Sequence, residues 1–332
     1  MSEDAYAKAG VSQSEADRAV AALVAALNET KVAESRQALA SGHYANVVRL
    51  DEHTGIAITT DGVGTKLLVA EQLRRWDTVG IDCVAMNVND VICVGARPLA
   101  MVDYLAVDSA DAEVAGAIGR GLARGAELAG IEIVGGELAQ LGELIRGLDL
   151  AGACFGAVAL DGMIVGSAIE PGDAVLGLPS SGLHSNGYTL ARKALDGIPL
   201  DDDRIGRPLG DVLIEPTEIY VKPVLELIDS VVDVRGLAHV TSGGLGNLLR
   251  LEAEVGYRID SPLPVPPIFE LIAERGSVPR DEMHDVFNMG CGFCVVVPSA
   301  DEEAALGLLR GHYPGAARIG AVTPSAGVVE RS

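Results

Sequence analysis

Again and again along this chain a short apolar run ends in a glycine-bracketed polar loop, and helix-like spacing follows. Gly55-Ile56-Ala57-Ile58-Thr59-Thr60 leads into Asp61-Gly62-Val63-Gly64-Thr65-Lys66, and Ile131 to Val134 leads into Gly135-Gly136-Glu137. Ala174 to Leu178 leads into the stretch Ser180 to Tyr188, and His239-Val240 into Thr241-Ser242-Gly243-Gly244. Strand-like runs alternating with helical periodicity demand a layered α/β architecture. Helices are expected over residues 13–28, 67–75, 81–94, 110–129, 189–195, 216–228 and 301–309, and further strands over 99–107, 151–160 and 293–297. A turn at Ile169-Glu170-Pro171-Gly172-Asp173 opens a second α/β series. The boundary is therefore placed near residues 161–171, dividing the chain into segments 1–165 and 166–332.

At 332 residues and 48% apolar composition the chain can bury a sizeable core, which excludes a disordered acidic polymer. Its 25 basic and 47 acidic residues give a net charge of −22. That balance argues against a nucleic-acid backbone or an anionic membrane as a general partner. A small phosphorylated ligand stays compatible, because a metal ion and backbone N–H groups can reverse the field at one site. The apolar run over residues 19–27 is too short to span a membrane, and Met1-Ser2-Glu3-Asp4 carries no targeting signature. Five scattered cysteines point to reduced thiols and a cytoplasmic protein. Cys291-x-x-Cys294 supplies half of a zinc set and runs into Val295-Val296-Val297, so it is expected as a buried pair near a strand.

The polar loops hold the candidate chemistry. In Asp61-Gly62-Val63-Gly64-Thr65-Lys66 the glycines admit a close anion, Lys66 offers a point charge, and Asp61 can hold a divalent cation. A plain glycine turn with a solvated lysine fits equally. Asp82-x4-Asn87-x-Asn89-Asp90 places three oxygen-bearing side chains, Asp82, Asn89 and Asp90, on one side of an otherwise apolar helix, where carboxylates are costly unless paired or metal-bound. The competing reading is Asp82 as a cap and Asp90 on a solvated face. Gly135-Gly136-Glu137 reads as a turn with an acid beyond it. Within Ser180 to Tyr188, His184 can donate to a phosphate or an amide oxygen, or be a structural histidine; His239 is expected to be structural. The acids together suit Mg²⁺, and with Lys66 would offset the charge of ATP.

These segments, in this order with Phe287-Asn288-Met289-Gly290, resemble the phosphoribosylformylglycinamidine cyclo-ligase (aminoimidazole ribonucleotide synthetase) family over about residues 5–325. The resemblance implies a two-domain α/β fold, its N-terminal sheet joined to a twin's across a homodimer and its C-terminal part a second α/β domain. It implies ATP-dependent closure of formylglycinamidine ribonucleotide to aminoimidazole ribonucleotide with release of ADP and phosphate. ATP would meet Asp61, Gly62, Gly64, Thr65, Lys66 and Asn89, and Mg²⁺ would meet Asp61, Asp82, Asp90 and Glu137. His184, Ser185 and Asn186 would contact the substrate, His184 and Lys66 acting in catalysis, and Thr241, Gly243 and Gly244 would cradle a phosphate. Thr241-Ser242-Gly243-Gly244 stands where the family usually has Thr-Gly-Gly-Gly. The alternatives are a small-molecule kinase of the same superfamily and a nucleotide-binding protein without turnover.

Overall fold

The computed structural model describes residues 13–30, 32, 34–39 and 42–331; Met1-Ser2-Glu3-Asp4 lies outside them. Among the described residues the strands form two sheets. The first takes β1 (Asn46–Arg49), β2 (Thr54–Gly62), β3 (Arg97–Val107), β4 (Glu132–Gln140) and β5 (Leu148–Ala159) in the order β1-β2-β5-β3-β4. Only the β3–β4 pairing is parallel. Helix α1 (Gln13–Leu27) comes first in the chain, and helices α2 (Leu67–Leu73), α3 (Asp77–Ile92) and α4 (Ala112–Ala129) accompany the sheet.

Helix α3 packs on β2 and β5 and is buried nearly all round, as its largely apolar sequence requires, and its buried Asp82, Asn87 and Asn89 each need polar partners. Helix α4 crosses it where the two backbones touch. A Cβ on Gly121 would stand 1.8 Å from Asp77 O, and one on Gly80 would stand 2.3 Å from Leu122 N. Only glycine permits that approach. Asp111 caps α4, accepting from the N–H groups of Glu113 and Val114, and Gly130 ends it in the left-handed region.

The second sheet runs β11-β8-β10-β6-β9-β7, from β6 (Ala174–Pro179), β7 (Gly236–His239), β8 (Gly256–Ile259), β9 (Cys291–Val297), β10 (Ala317–Thr323) and β11 (Val329–Arg331). Helices α5 (Tyr188–Ala194), α6 (Leu209–Leu213), α7 (Val221–Ile228), α8 (Pro267–Gly276), α9 (Arg280–Val286) and α10 (Glu302–His312) surround it. Every residue of β9 is buried, as its unbroken apolar run requires. One apolar cluster holds Val84 and Val88 of α3 together with Val240, Leu176 and Phe293 of the second half.

Two expectations about local structure are corrected. Gly135-Gly136-Glu137 is no turn but the middle of β4: Gly136 faces Asp103, whose Oδ1 would lie 2.3 Å from an added Cβ, so glycine is what lets the strand continue. The helix expected over 216–228 begins only at Val221, because the N–H groups of Thr217 and Tyr220 are taken by Asp82 Oδ1 and Asn89 Oδ1. The five cysteines are buried thiols, Cys291 and Cys294 lying 3.7 Å apart at sulfur. No helix among the described residues is long and apolar enough to cross a membrane.

Candidate functional site

Lys66 closes a single 3₁₀ turn, Gly64–Lys66, which Gly64 enters at φ +69°. From there its side chain turns inward and is fully buried. Nζ lies 2.9 Å from both carboxylate oxygens of Asp82, 3.0 Å from His184 O and 2.5 Å from Glu215 O. Asp82 Oδ1 also accepts the N–H and the hydroxyl of Thr217, each at 2.7 Å. Burial pulls the Lys66 pKa down, and the Asp82 charge opposes that shift. The expectation that Lys66 meets ATP phosphates is therefore corrected: its three protons already have acceptors. Asp82 likewise leaves the metal set, sealed beneath an ammonium and Thr217. A carboxylate inside an apolar helix needs a counter-charge, and Lys66 is the one that reaches it.

Asn89, seven residues on, falls on the same line of α3 and reaches the same segment. Its Oδ1 accepts Tyr220 N–H at 2.9 Å and its Nδ2 donates to Glu218 O at 2.8 Å. The amide expected at the nucleotide instead ties α3 to the strap before α7. Thr65, half-buried, meets Thr189 at 3.1 Å between hydroxyls.

Asp61 and Asp90 form the open acidic end. Asn87 grips the main chain of Asp61 at both its N–H and its carbonyl, fixing the end of β2 on α3. The Asp61 carboxyl is pushed up to about 6, first by burial and then by the charge of Asp90, while the Gly62 N–H works the other way. Asp90 Oδ1 lies 2.9 Å from Nδ1 of the fully buried His239. Asp103 stands in the same cross-sheet row as Asp61, in the order Asp61, Gly152, Asp103, Gly136, and burial raises its pKa too. Glu137 does not join them. It is paired with Tyr104 and thereby with Ala151 and Gly62, the alternate row, so it projects from the opposite face of the sheet. Among the described residues no three His, Cys, Asp or Glu side chains converge as a preformed metal centre.

The loops of the second half meet this end. His184 sits in the left-handed region at φ +61°, its ring buried and its Nε2 accepting the Ser181 N–H at 3.3 Å. Burial, with His239 and Lys66 adding to it, drives its pKa well below the usual value, so the ring is neutral and carries its proton on Nδ1. Nδ1 has no hydrogen-bond partner among the described residues, and neither has Asn186 Nδ2. Asn186 Oδ1 is 3.1 Å from Ser242 Oγ, which joins the two polar loops. Thr241 spends its N–H and its hydroxyl on Asn247 Oδ1, and the Gly244 N–H bonds to Thr241 O. The Thr241 donors expected at a phosphate are thus engaged within the loop, and Gly243 keeps the turn at φ +97°. Asn288 pins the 180s loop from below: its Nδ2 donates to Gly182 O, and its Oδ1 accepts from Ser180 Oγ and Gly290 N–H.

Three residues here escaped the sequence reading. Thr217 had no motif around it. Asp103 lay within an ordinary strand. Arg250, exposed, stacks its guanidinium 5.0 Å from the Tyr44 ring centre, and its charge is felt at Asp61. An arginine a few residues beyond Thr241-Ser242-Gly243-Gly244 was the available signal for it.

Residues 42–158 match the family model described as AIR synthase related protein, N-terminal domain, and residues 170–331 match its C-terminal domain. A phosphoribosylformylglycinamidine cyclo-ligase of Methanothermobacter thermautotrophicus is 50% identical over 333 aligned positions, covering 98% of this chain and 96% of its own. The protein of the same name from Pyrococcus furiosus is 48% identical over 98% and 96% of the two chains. Among solved structures, one described as AaThiL complexed with AMPPCP and TMP superposes with a TM-score of 0.66 at 17% identity, covering 93% of this chain and 92% of that one. A hydrogenase maturation protein HypE in complex with ATP gives 0.60 at 20% identity over 86% and 84%. At these identities the superpositions speak for the fold.

Proposed function

The chain belongs to the AIR synthase related protein family, and from that premise we infer that it is a phosphoribosylformylglycinamidine cyclo-ligase. The activity is ATP-dependent closure of formylglycinamidine ribonucleotide to aminoimidazole ribonucleotide, with ADP and phosphate released, in purine biosynthesis. The observation that carries it at residue level is the meeting of an acidic strand end, Asp61 with Asp90, and a polar loop bearing two buried donors without protein partners, His184 Nδ1 and Asn186 Nδ2.

Burial and then the charge of Asp90 raise the cost of ionising Asp61, and hard oxygens in that setting suit Mg²⁺. Asp61 and Asp90 would hold it, and the ion would lower the charge barrier at the ATP phosphates. Arg250 rather than Lys66 supplies the side-chain cation at this open end. Gly62 and Gly64 let the main chain approach the nucleotide. The amide oxygen of the substrate takes the γ-phosphoryl group as ADP leaves; the amidine nitrogen then attacks the activated carbon, and phosphate departs as the ring closes. His184, neutral and aimed by Ser181, donates at the amide oxygen; Asn186 and Ser185 hold the substrate beside it. Incubation with formylglycinamidine ribonucleotide, ATP and Mg²⁺ should yield one ADP and one phosphate per aminoimidazole ribonucleotide. ATP consumption that leaves phosphate on an organic product would establish the kinase alternative.

The partner is a second copy of the chain. The face of the first sheet turned away from α3 exposes Ile58, Val102, Tyr104 and Phe155 in adjoining rows, with Val134 at the β4 irregularity, each between 36% and 59% accessible. Such a contiguous apolar face on a sheet calls for a cover. Sedimentation equilibrium should give twice the chain mass for the native protein and the single-chain mass for Phe155→Asp; a native monomer would remove this proposal. The cytoplasm is the setting in which the five buried thiols stay reduced.

A further inference from the structure

Hydrogen-bond direction around the buried Lys66–Asp82 pair determines what Ser185 can offer a ligand. The Lys66 ammonium has three protons and three acceptors: the Asp82 carboxylate, His184 O and Glu215 O. An ionised carboxylate only accepts, and a hydroxyl has a single proton to give. Thr217 Oγ1, 2.7 Å from Asp82 Oδ1, spends its proton there. Ser185 Oγ lies 3.0 Å from Thr217 Oγ1, so in that contact Ser185 must be the donor. The order is one-way: Ser185 gives to Thr217, Thr217 gives to Asp82, and Lys66 holds Asp82 in the accepting state. Ser185 is half-buried, so its oxygen remains reachable with its lone pairs uncommitted while its proton points into the protein.

We propose that Lys66, Asp82 and Thr217 are positioning residues that make Ser185 an obligate hydrogen-bond acceptor, through which the loop recognises an N–H of its substrate. A serine free to rotate would serve a carbonyl or phosphate oxygen equally well; this one has lost that choice. Next to it His184 Nδ1–H is a donor, so the pair reads donor then acceptor, the complement of an amide, which presents an oxygen beside an N–H. The substrate class rests on the cyclo-ligase reading; the polarity of Ser185 rests on the hydrogen-bond chain alone. The same Lys66 ammonium bonds His184 O, so the main chain of the donor and the hydroxyl of the acceptor are set by one buried group.

The test is steady-state kinetics on the full-length enzyme for the native protein, Ser185→Ala, Thr217→Val, Thr217→Ser and the Ser185→Ala/Thr217→Val double variant. Thr217→Val should raise KM for formylglycinamidine ribonucleotide by about tenfold to a hundredfold with KM for ATP unmoved, the worth of one buried hydrogen bond. Thr217→Ser, which keeps the hydroxyl, should restore the native KM. In the Ser185→Ala background Thr217→Val should add little, because the relay acts only through Ser185. Equal effects of Thr217→Val and Thr217→Ser, a native KM in Thr217→Val, or fully additive losses in the double variant would overturn the relay. A native enzyme that makes no aminoimidazole ribonucleotide would instead overturn the cyclo-ligase reading, and the amide ligand with it.

Discussion

Lys66→Met should lower the free energy of unfolding by about 3–5 kcal/mol, the usual consequence of removing one partner from a buried ion pair. The loss has two sources. Asp82 stays fully buried with only the neutral Thr217 donors against its charge. The carbonyls of His184 and Glu215 also lose their donor. Urea unfolding at pH 7 reads the effect, and Lys66→Met/Asp82→Leu should recover only the part due to the uncompensated Asp82 charge. In that double variant the carbonyls of His184 and Glu215 stay without their donor and the Thr217 donors lose their acceptor. A loss below about 1 kcal/mol in the single variant would put the pair in the class of solvent-exposed bridges and contradict the burial described here.

Asp61→Asn should do the reverse to stability while abolishing most turnover. The Asp61 carboxyl titrates near 6 in the folded protein against an ordinary 3.8, so the folded chain holds that proton more tightly than the unfolded one. Between about pH 4 and 6 the native protein therefore loses stability as pH rises, and above 6 it carries the full penalty. Asparagine cannot ionise, so the variant should melt higher than the native enzyme at pH 7 and the gain should vanish below about pH 4. Turnover should fall by about two to four orders of magnitude, the several kcal/mol that a bound cation contributes. Added Mg²⁺ should raise the melting temperature of the native protein and leave that of the variant in place. A variant that melts lower at pH 7, or that turns over normally, would remove Asp61 from the metal site.

What the sequence disclosed and what it withheld have physical reasons. Asp61, Asp90 and the Ser180 to Tyr188 loop stood out because glycines and polar residues gathered at strand ends, a signal carried by near neighbours. The line from Asp82 to Asn89 was equally visible, since helical spacing is local. Their partners were not: His184 and Glu215 lie 118 and 149 residues from Lys66, and no local pattern announces a contact over that span. Glu137 was misplaced for another reason. The register slips between Met101 and Val102, and a one-residue slip moves every following side chain of β4 to the other face. The two glycines before it looked like a turn, because the Asp103 carboxylate that they accommodate comes from a neighbouring strand.

The reach of Lys66 also dictates an order of assembly. On the ribosome the first sheet and α3 emerge with Lys66 and Asp82 only 16 positions apart, while the carbonyls and the threonine that complete their hydrogen bonds have still to be made. Until residue 217 is free of the exit tunnel, the nascent first half holds an ion pair that is sealed on one side only, beneath apolar surface that the second half has yet to cover. A fragment cut before residue 184 would keep the Asp82 carboxylate for Lys66 but lack both carbonyls and the threonine hydroxyl, so the groups that complete the hydrogen bonds of this pair come from the later part of the chain.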